Sequence, residues 1–144
     1  MKIQKRIFSI FVIGFLLGLV SCSRNEDNPV PQTYVDFYVY LNEPSNIKLN
    51  SPGGWVYFSG GSKGIVVYRL DIDHFKAFDR NCTYNSSLAN AQVSVDSSGL
   101  FLADNSCGSK FVIIDGSVNN GPATVPLRQY IADYDGVGIV HVHN

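Results

Sequence analysis

Residues 108–127, GSKFVIIDGSVNNGPATVPL, combine one apolar run with a dense set of turn-forming residues. The run from Phe111 to Ile114 predicts a short strand, and Asp115-Gly116 directly after it predicts a turn. Gly121-Pro122-Ala123 and Pro126-Leu127 interrupt the chain again before the next apolar segment. This stretch therefore predicts short strands joined by tight turns.

The same pattern of short apolar segments and turns extends along the rest of the chain. Tyr34 to Leu41 alternates between apolar and polar residues, which predicts a half-buried strand, and Ile65 to Leu70 predicts a buried one. Gly60 to Gly64 predicts a hairpin turn. Eight tyrosines, nine phenylalanines and one tryptophan fit a strand-rich composition, and clean helical periods are absent. We therefore predict an all-β domain, a sandwich or small barrel. Its expected core includes Trp55, Tyr57, Ile65, Val67, Phe78, Val112, Ile114, Leu127, Ile139 and Val140.

A second distinctive segment, Ala77 to Tyr84, reads AFDRNCTY. This segment and the downstream GSKF, DG, GPA and PL elements resemble the two cluster loops of the Rieske iron–sulfur family. The resemblance covers about Gly60 to Val142. It implies a Rieske-like antiparallel β-sandwich with a small inserted cluster-loop subdomain, whose two loops meet at its tip. The family function is one-electron transfer through a 2Fe-2S cluster held by two Cys and two His.

The cluster ligands of the family are only partly present in this chain. The family pattern is C-x-H in the first loop and C-x-x-H in the second, and the matching positions hold Cys82, Tyr84, Asp104 and Cys107. Neither loop contains a histidine, so a conventional Rieske cluster is not expected. The resemblance then implies either no cofactor, which we favour, or an atypical 2Fe-2S cluster held by Cys82, Cys107, Tyr84 and Asp104.

The N-terminus predicts export and lipidation. Lys2, Lys5 and Arg6 precede an apolar run that ends at Leu19-Val20-Ser21-Cys22, which resembles the bacterial lipobox. The resemblance implies a signal peptide over residues 1–21 and acylation of Cys22, by palmitate among other chains. Residues 22–33 are polar and predict a flexible tether, followed by the domain at 34–144. The protein is expected to be lipid-anchored in the cell envelope, in the outer membrane, facing either side.

The two remaining cysteines, Cys82 and Cys107, lie in an exported and therefore oxidising setting, where a disulfide is the first expectation. If the loops meet as they do in the family, the two residues face each other across the cluster position. A disulfide there would replace the metal. A reversible redox switch of the same pair is a related hypothesis.

The remaining residues narrow the classes of partner and activity. A net charge of −1 without any basic run excludes nucleic acid as an expected partner. His141 and His143 would share one face of a strand, but no third metal ligand is identifiable, and His74 is isolated. No nucleophile–base pair stands out, so an enzymatic role has no support. The predicted function is a membrane-anchored binding or assembly module with an unknown protein partner; the alternative is electron transfer.

Overall fold

The computed structural model describes residues 28–144, so the predicted signal peptide, Cys22 and the first part of the tether lie outside the described residues. Residues 28–33 pack on the domain: Val30 is buried and its carbonyl accepts a 2.6 Å hydrogen bond from Arg128 Nη2. Asn28 Nδ2 donates to the Pro126 carbonyl at 3.1 Å. The packed chain thus reaches back to Asn28, into the segment predicted as tether. In residues 28–144, helices long and apolar enough to cross a membrane are absent.

Ten strands and one 3₁₀ helix, Pro44–Asn50, make up the regular structure of the described residues. The strands, numbered in chain order, are β1 Asp36–Tyr40, β2 Trp55–Phe58, β3 Ile65–Arg69, β4 Phe75–Asp79, β5 Ser94–Val95, β6 Phe101–Ala103, β7 Lys110–Val112, β8 Val118–Asn120, β9 Gln129–Tyr134 and β10 Ile139–His143.

The strands form two antiparallel sheets. The larger sheet has six strands in the order β1-β10-β9-β4-β3-β2, and the smaller has four in the order β5-β6-β7-β8. The smaller sheet is inserted in the chain between β4 and β9, which are neighbours in the larger sheet. The predicted all-β class and the small inserted subdomain are therefore confirmed, as is the hairpin turn between β2 and β3.

Strand β3 holds two apolar clusters together because its side chains alternate between its two faces. Ile65 and Val67 belong to the cluster within the larger sheet, and Val66 belongs to the cluster shared with the inserted subdomain. Every residue of β3 is buried, as predicted from the apolar residues Ile65 to Tyr68, and the strand ends at the buried Arg69. The second cluster also contains Cys82, so one of the two candidate cysteines is part of the core.

The predicted core is right for five of its residues and wrong for one. Ile65, Val67, Phe78, Leu127 and Val140 are buried, whereas Ile114 is 45% exposed. Trp55, Tyr57, Val112 and Ile139 are half-buried.

Ile114 is exposed because the strand around it is shorter than predicted. Strand β7 ends at Val112, and Ile113 to Asp115 form a turn. The ladder also shifts register between Lys110 and Phe111. Phe111 and Ile113 are therefore the buried residues, and Ile114 faces outward.

Asp79, at the end of β4, is a fully buried carboxylate that joins three parts of the fold. Its Oδ2 accepts hydrogen bonds from the Ser62 N–H at 2.5 Å and the Tyr130 hydroxyl at 2.8 Å. Its Oδ1 accepts from the N–H groups of Lys63 and Asn81 at 3.2 and 2.8 Å. The carboxylate thereby fixes the turn between β2 and β3 against β4 and β9.

The same carboxylate explains a pH dependence that we expect at high pH. Burial, together with the neighbouring Asp79 carboxylate, raises the pKa of Tyr130 from 10.0 to about 12. A raised pKa contributes stability that is complete below pH 10 and is lost as the pH rises towards 12. The free energy of unfolding should fall by about 2–3 kcal/mol over this range. Urea unfolding of Tyr130→Phe should lack that decrease; an equal decrease in both proteins would contradict the assignment.

Candidate thiol and metal site

The first loop of the site follows β4 and carries Cys82. The N–H of Cys82 donates to the carbonyl of Ala91 at 3.1 Å, which folds the loop back on itself. Lys63 Nζ donates to the carbonyls of Ser86 and Ala91, each at 3.0 Å, and also to that of Leu88. One ammonium group from the turn between β2 and β3 therefore holds this loop closed.

The second loop connects β6 to β7 and is built around Asp104. Asp104 Oδ1 accepts from the Ser106 N–H at 2.8 Å and from its hydroxyl at 2.6 Å. The Asp104 carbonyl accepts from the N–H of Gly108 at 2.8 Å, and Gly108 has a φ of +82°, a left-handed value that favours glycine. This turn fixes the carboxylate with Oδ2 directed at Cys107.

The two loops bring three of the four predicted ligand residues together. Cys82 Sγ and Cys107 Sγ lie 3.9 Å apart, and Cys107 Sγ lies 3.3 Å from Asp104 Oδ2. The ligand atoms of these three residues all lie within 4.8 Å of one another. The two sulfurs are not bonded to each other in this structure; Cys82 is buried and Cys107 half-buried. Sequence spacing alone, 25 positions, could not show this convergence, whereas the resemblance of the loops predicted it.

Tyr84, the fourth predicted ligand, contributes differently. Its backbone N–H opposes part of the rise in the pKa of Cys82 and so favours the thiolate. Its side chain is 39% exposed. It lines a cleft of about 300 Å³ together with Leu88, Pro122 and Cys107. The cleft gives solvent a path to the Cys107 side of the site.

Burial and hydrogen bonds set the charges of the site. Burial, reinforced by the nearby Asp104 carboxylate, raises the pKa of the Cys82 thiol to about 12. Burial also disfavours the charged form of Asp104, but hydrogen bonds from Ser106 outweigh it and hold the pKa of this carboxyl below its usual value. At neutral pH the site therefore combines a buried neutral thiol, a carboxylate and a more accessible thiol.

Ser109 supports the second loop from behind. Its hydroxyl lies 3.1 Å from Cys107 Sγ and accepts a 3.0 Å hydrogen bond from the N–H of Ala123. Its own N–H points at the same sulfur at 3.5 Å. Neither Ser109 nor Lys63 was among the predicted site residues. The serine belongs to the GSKF element, so its role at the loop could have been anticipated; nothing in the sequence indicates the partners of Lys63.

The geometry fits ligands of one metal ion. Two sulfurs on a single tetrahedral ion, with metal–sulfur bonds of about 2.3 Å, lie about 3.8 Å apart, and these two sulfurs lie 3.9 Å apart. Ligands of opposite irons of a 2Fe-2S cluster are farther apart, because both metal ions and the bridging sulfides lie between them. The three side chains therefore suit one metal ion, alone or as one iron of a cluster, or a disulfide after a small approach of the sulfurs.

The histidines lie away from these loops. His141 and His143 share the outer face of β10 as predicted, with ring centroids 4.4 Å apart. Their Nε2 atoms lie 2.7 Å from Asp36 Oδ1 and 3.0 Å from Asp133 Oδ2, respectively. His74 contacts Asp71 in the turn before β4. These imidazoles are therefore engaged with carboxylates of the larger sheet and the adjoining turn.

Comparison with known proteins gives distant structural similarity. No family model matches the chain, and no curated protein matches it. It is similar to the ferredoxin of carbazole 1,9a-dioxygenase from Nocardioides aromaticivorans IC177, with 19% identity, a TM-score of 0.48 and coverage of 78% of this chain and 100% of that one. It is also similar to a complex of reduced oxygenase and oxidized ferredoxin in carbazole 1,9a-dioxygenase, with 21% identity, a TM-score of 0.49 and coverage of 78% of this chain and 94% of that one. A third similar structure is a protein assigned as the small subunit of an NADH-dependent nitrite reductase from Mycobacterium tuberculosis. It has 18% identity and a TM-score of 0.47, with coverage of 78% of this chain and 97% of that one.

Proposed function

We propose that this chain is a lipid-anchored, Rieske-like protein of the cell envelope that works without a conventional 2Fe-2S cluster. A Cys82–Cys107 disulfide joins the two loops, and the domain acts as a binding or assembly module for a protein partner. The observation that carries the proposal is the 3.9 Å separation of the two sulfurs, at loops whose histidine positions hold Tyr84 and Cys107.

The separation of the sulfurs supports the disulfide directly. A disulfide has an S–S bond of about 2.05 Å, so closure from 3.9 Å needs less than about 2 Å of relative movement. Cys107 is half-buried beside the cleft, where an oxidant can reach it. An exported protein meets oxidising conditions in which such a bond persists.

The environment of Cys82 supports a structural bond over a redox switch. An incoming thiolate that attacks the more accessible Cys107 sulfur must expel Cys82 as a thiolate. Burial raises the pKa of Cys82 to about 12, which makes it a poor leaving group. Thiol exchange should therefore be slow, and a structural bond suits an assembly role better than a switch.

The proposed anchor would hold the domain close to the lipid surface. Residues from Asn28 onward pack on the domain through the bond between the Val30 carbonyl and Arg128. The chain from Cys22 to Asn28 then spans at most about 22 Å when fully extended. Acyl chains on Cys22 would supply the membrane affinity.

Intact mass of the full chain, extracted from membranes in detergent without reductant or air, tests the proposal. We expect the mass of acyl groups on Cys22 and a deficit of two protons that a phosphine reductant restores, with iron and acid-labile sulfide absent. Both thiols of the extracted protein free to react under denaturing, non-reducing conditions would refute the disulfide. Two irons and two sulfides per chain would support the electron-transfer alternative instead.

A further inference from the structure

The three side chains at the loop junction are arranged as ligands of one ion. The sulfurs of Cys82 and Cys107 are 3.9 Å apart, and Asp104 Oδ2 is 3.3 Å from the Cys107 sulfur. A tetrahedral zinc-type ion with metal–sulfur bonds of about 2.3 Å and metal–oxygen bonds of about 2.0–2.2 Å requires ligand separations of about 3.5–3.8 Å. The two observed distances lie close to these values, and all three ligand atoms lie within 4.8 Å of one another.

We propose that the reduced protein binds one thiophilic divalent ion of the zinc class through Cys82 Sγ, Cys107 Sγ and Asp104 Oδ2. The fourth coordination position opens towards the cleft lined by Tyr84. The ion and the disulfide of the proposed function use the same two sulfurs and exclude each other, so the metal site belongs to the reduced protein. Binding forms two metal–sulfur bonds and one metal–oxygen bond and releases the two thiol protons to solvent; no electron is transferred.

The types of ligand favour zinc or a similar ion. Two thiolates and one carboxylate suit a borderline-soft divalent cation, whereas calcium and magnesium require oxygen ligands throughout. Three protein ligands and one open position form the pattern of zinc sites that keep a water molecule or substrate bound. The cleft of about 300 Å³ beside Cys107 has room for such a group.

The surroundings of the ligands also resemble a prepared metal site. Ser106 donates two hydrogen bonds to Asp104 Oδ1, which leaves Oδ2 as the free ligand atom. The N–H of Ser109 points at the Cys107 sulfur at 3.5 Å, and the Ser109 hydroxyl lies 3.1 Å from the same sulfur. Hydrogen bonds of this kind orient ligands and stabilise thiolates, and losing one typically costs 10–100-fold in metal affinity.

Cobalt(II) titration of the reduced chain tests the site, since thiolate-bound cobalt absorbs light and zinc does not. The full chain carrying Cys22→Ser, held in detergent and reduced by a phosphine, leaves Cys82 and Cys107 as its thiols. We expect thiolate-to-cobalt charge transfer that saturates at one equivalent and disappears when zinc is added. The oxidised chain, whose two-proton mass deficit verifies the disulfide, should show no such absorption.

Matched aspartate variants assign the third ligand. Asp115 lies in the same kind of turn as Asp104, because its Oδ1 accepts from the N–H of Ser117 at 2.9 Å and from its hydroxyl at 2.7 Å. Asp104→Asn should weaken cobalt binding about tenfold or more, and Asp115→Asn should leave it unchanged.

Three results would overturn the site. The first is a reduced chain with both thiols verified by mass that shows no charge transfer. The second is equal affinity in the two aspartate variants while circular dichroism shows both to be folded. The third is saturation at more than one equivalent. None of them depends on whether the native protein carries the disulfide, which intact mass measures separately.

Discussion

Reduction of the proposed Cys82–Cys107 disulfide should lower the free energy of unfolding by about 3.5 kcal/mol, because the bond would remove the loop-closure entropy of a 25-residue separation from the unfolded chain. That amount is a large share of the net stability of a domain of this size. The bond also joins the loop after β4 to the loop between β6 and β7, so the inserted subdomain should loosen first. Urea unfolding of metal-free protein with and without a phosphine reductant measures the difference.

A cysteine-free pair of loops supplies the control for that measurement. Cys82→Ala combined with Cys107→Ala removes the bond, so reductant should have no effect on its urea midpoint. The single variant Cys107→Ala changes the half-buried residue and keeps Cys82 in the core, which limits the cavity. If wild type shows the same midpoint in both conditions, the disulfide is absent or contributes nothing to stability, and the structural role proposed for it is wrong.

The elements that the sequence predicts well are those set by local pattern. The run Ile65 to Leu70 predicts a strand buried on both faces, and β3 is that strand. Alternation over Tyr34 to Leu41 places Val35 and Val39 inward, where they are buried. The loop resemblance predicted that Cys82 and Cys107 lie close together, although their spacing in the sequence does not indicate it. Short-range pattern and loop motif together therefore predict the architecture and most of the candidate site.

What the sequence could not predict depends on long-range contacts. Lys63 closes the Cys82 loop through carbonyls 23 to 28 positions away, and backbone carbonyls carry no sequence signal. The exposure of Ile114 follows from the end of β7 at Val112 and from the inward direction of Phe111 and Ile113; periodicity cannot say which of the two alternating faces packs inward. Tyr84 was expected as a ligand from its position; its side chain is 39% exposed and lines the cleft beside Cys107, which the sequence does not indicate.

Asp79→Ala will cost about 3–5 kcal/mol of unfolding free energy, because each buried donor left without an acceptor costs about 1–3 kcal/mol. Four donors lose their acceptor: the N–H groups of Ser62, Lys63 and Asn81 and the Tyr130 hydroxyl. Gly61 shows how tightly this acceptor is enclosed, because a Cβ there would lie 2.5 Å from Asp79 Oδ2.

An exposed aspartate of the same sheet provides the control for this substitution. Asp133 lies on the outer face of β9 and contacts His143, so Asp133→Ala should change stability by no more than about 0.5 kcal/mol. Urea unfolding of the two variants makes the comparison. Adding Tyr130→Phe to Asp79→Ala and to Asp133→Ala tests the coupling. Loss of the hydroxyl should lower the free energy of unfolding less in the protein that already lacks Asp79. Equal losses for Asp79→Ala and Asp133→Ala would contradict the network.

Asp79→Ala should also affect the thiol site. Asp79 fixes the backbone of Lys63, and the Lys63 ammonium closes the loop that buries Cys82. Without the carboxylate this loop should open more often, so thiol reagents should modify Cys82 faster in the reduced Asp79→Ala protein than in reduced wild type. Cys107 is already half-buried beside the cleft, so its modification rate should change much less. A selective increase at Cys82 would show that the buried carboxylate of β4 keeps one half of the cysteine pair in the core, whereas parallel increases at both residues would indicate general unfolding.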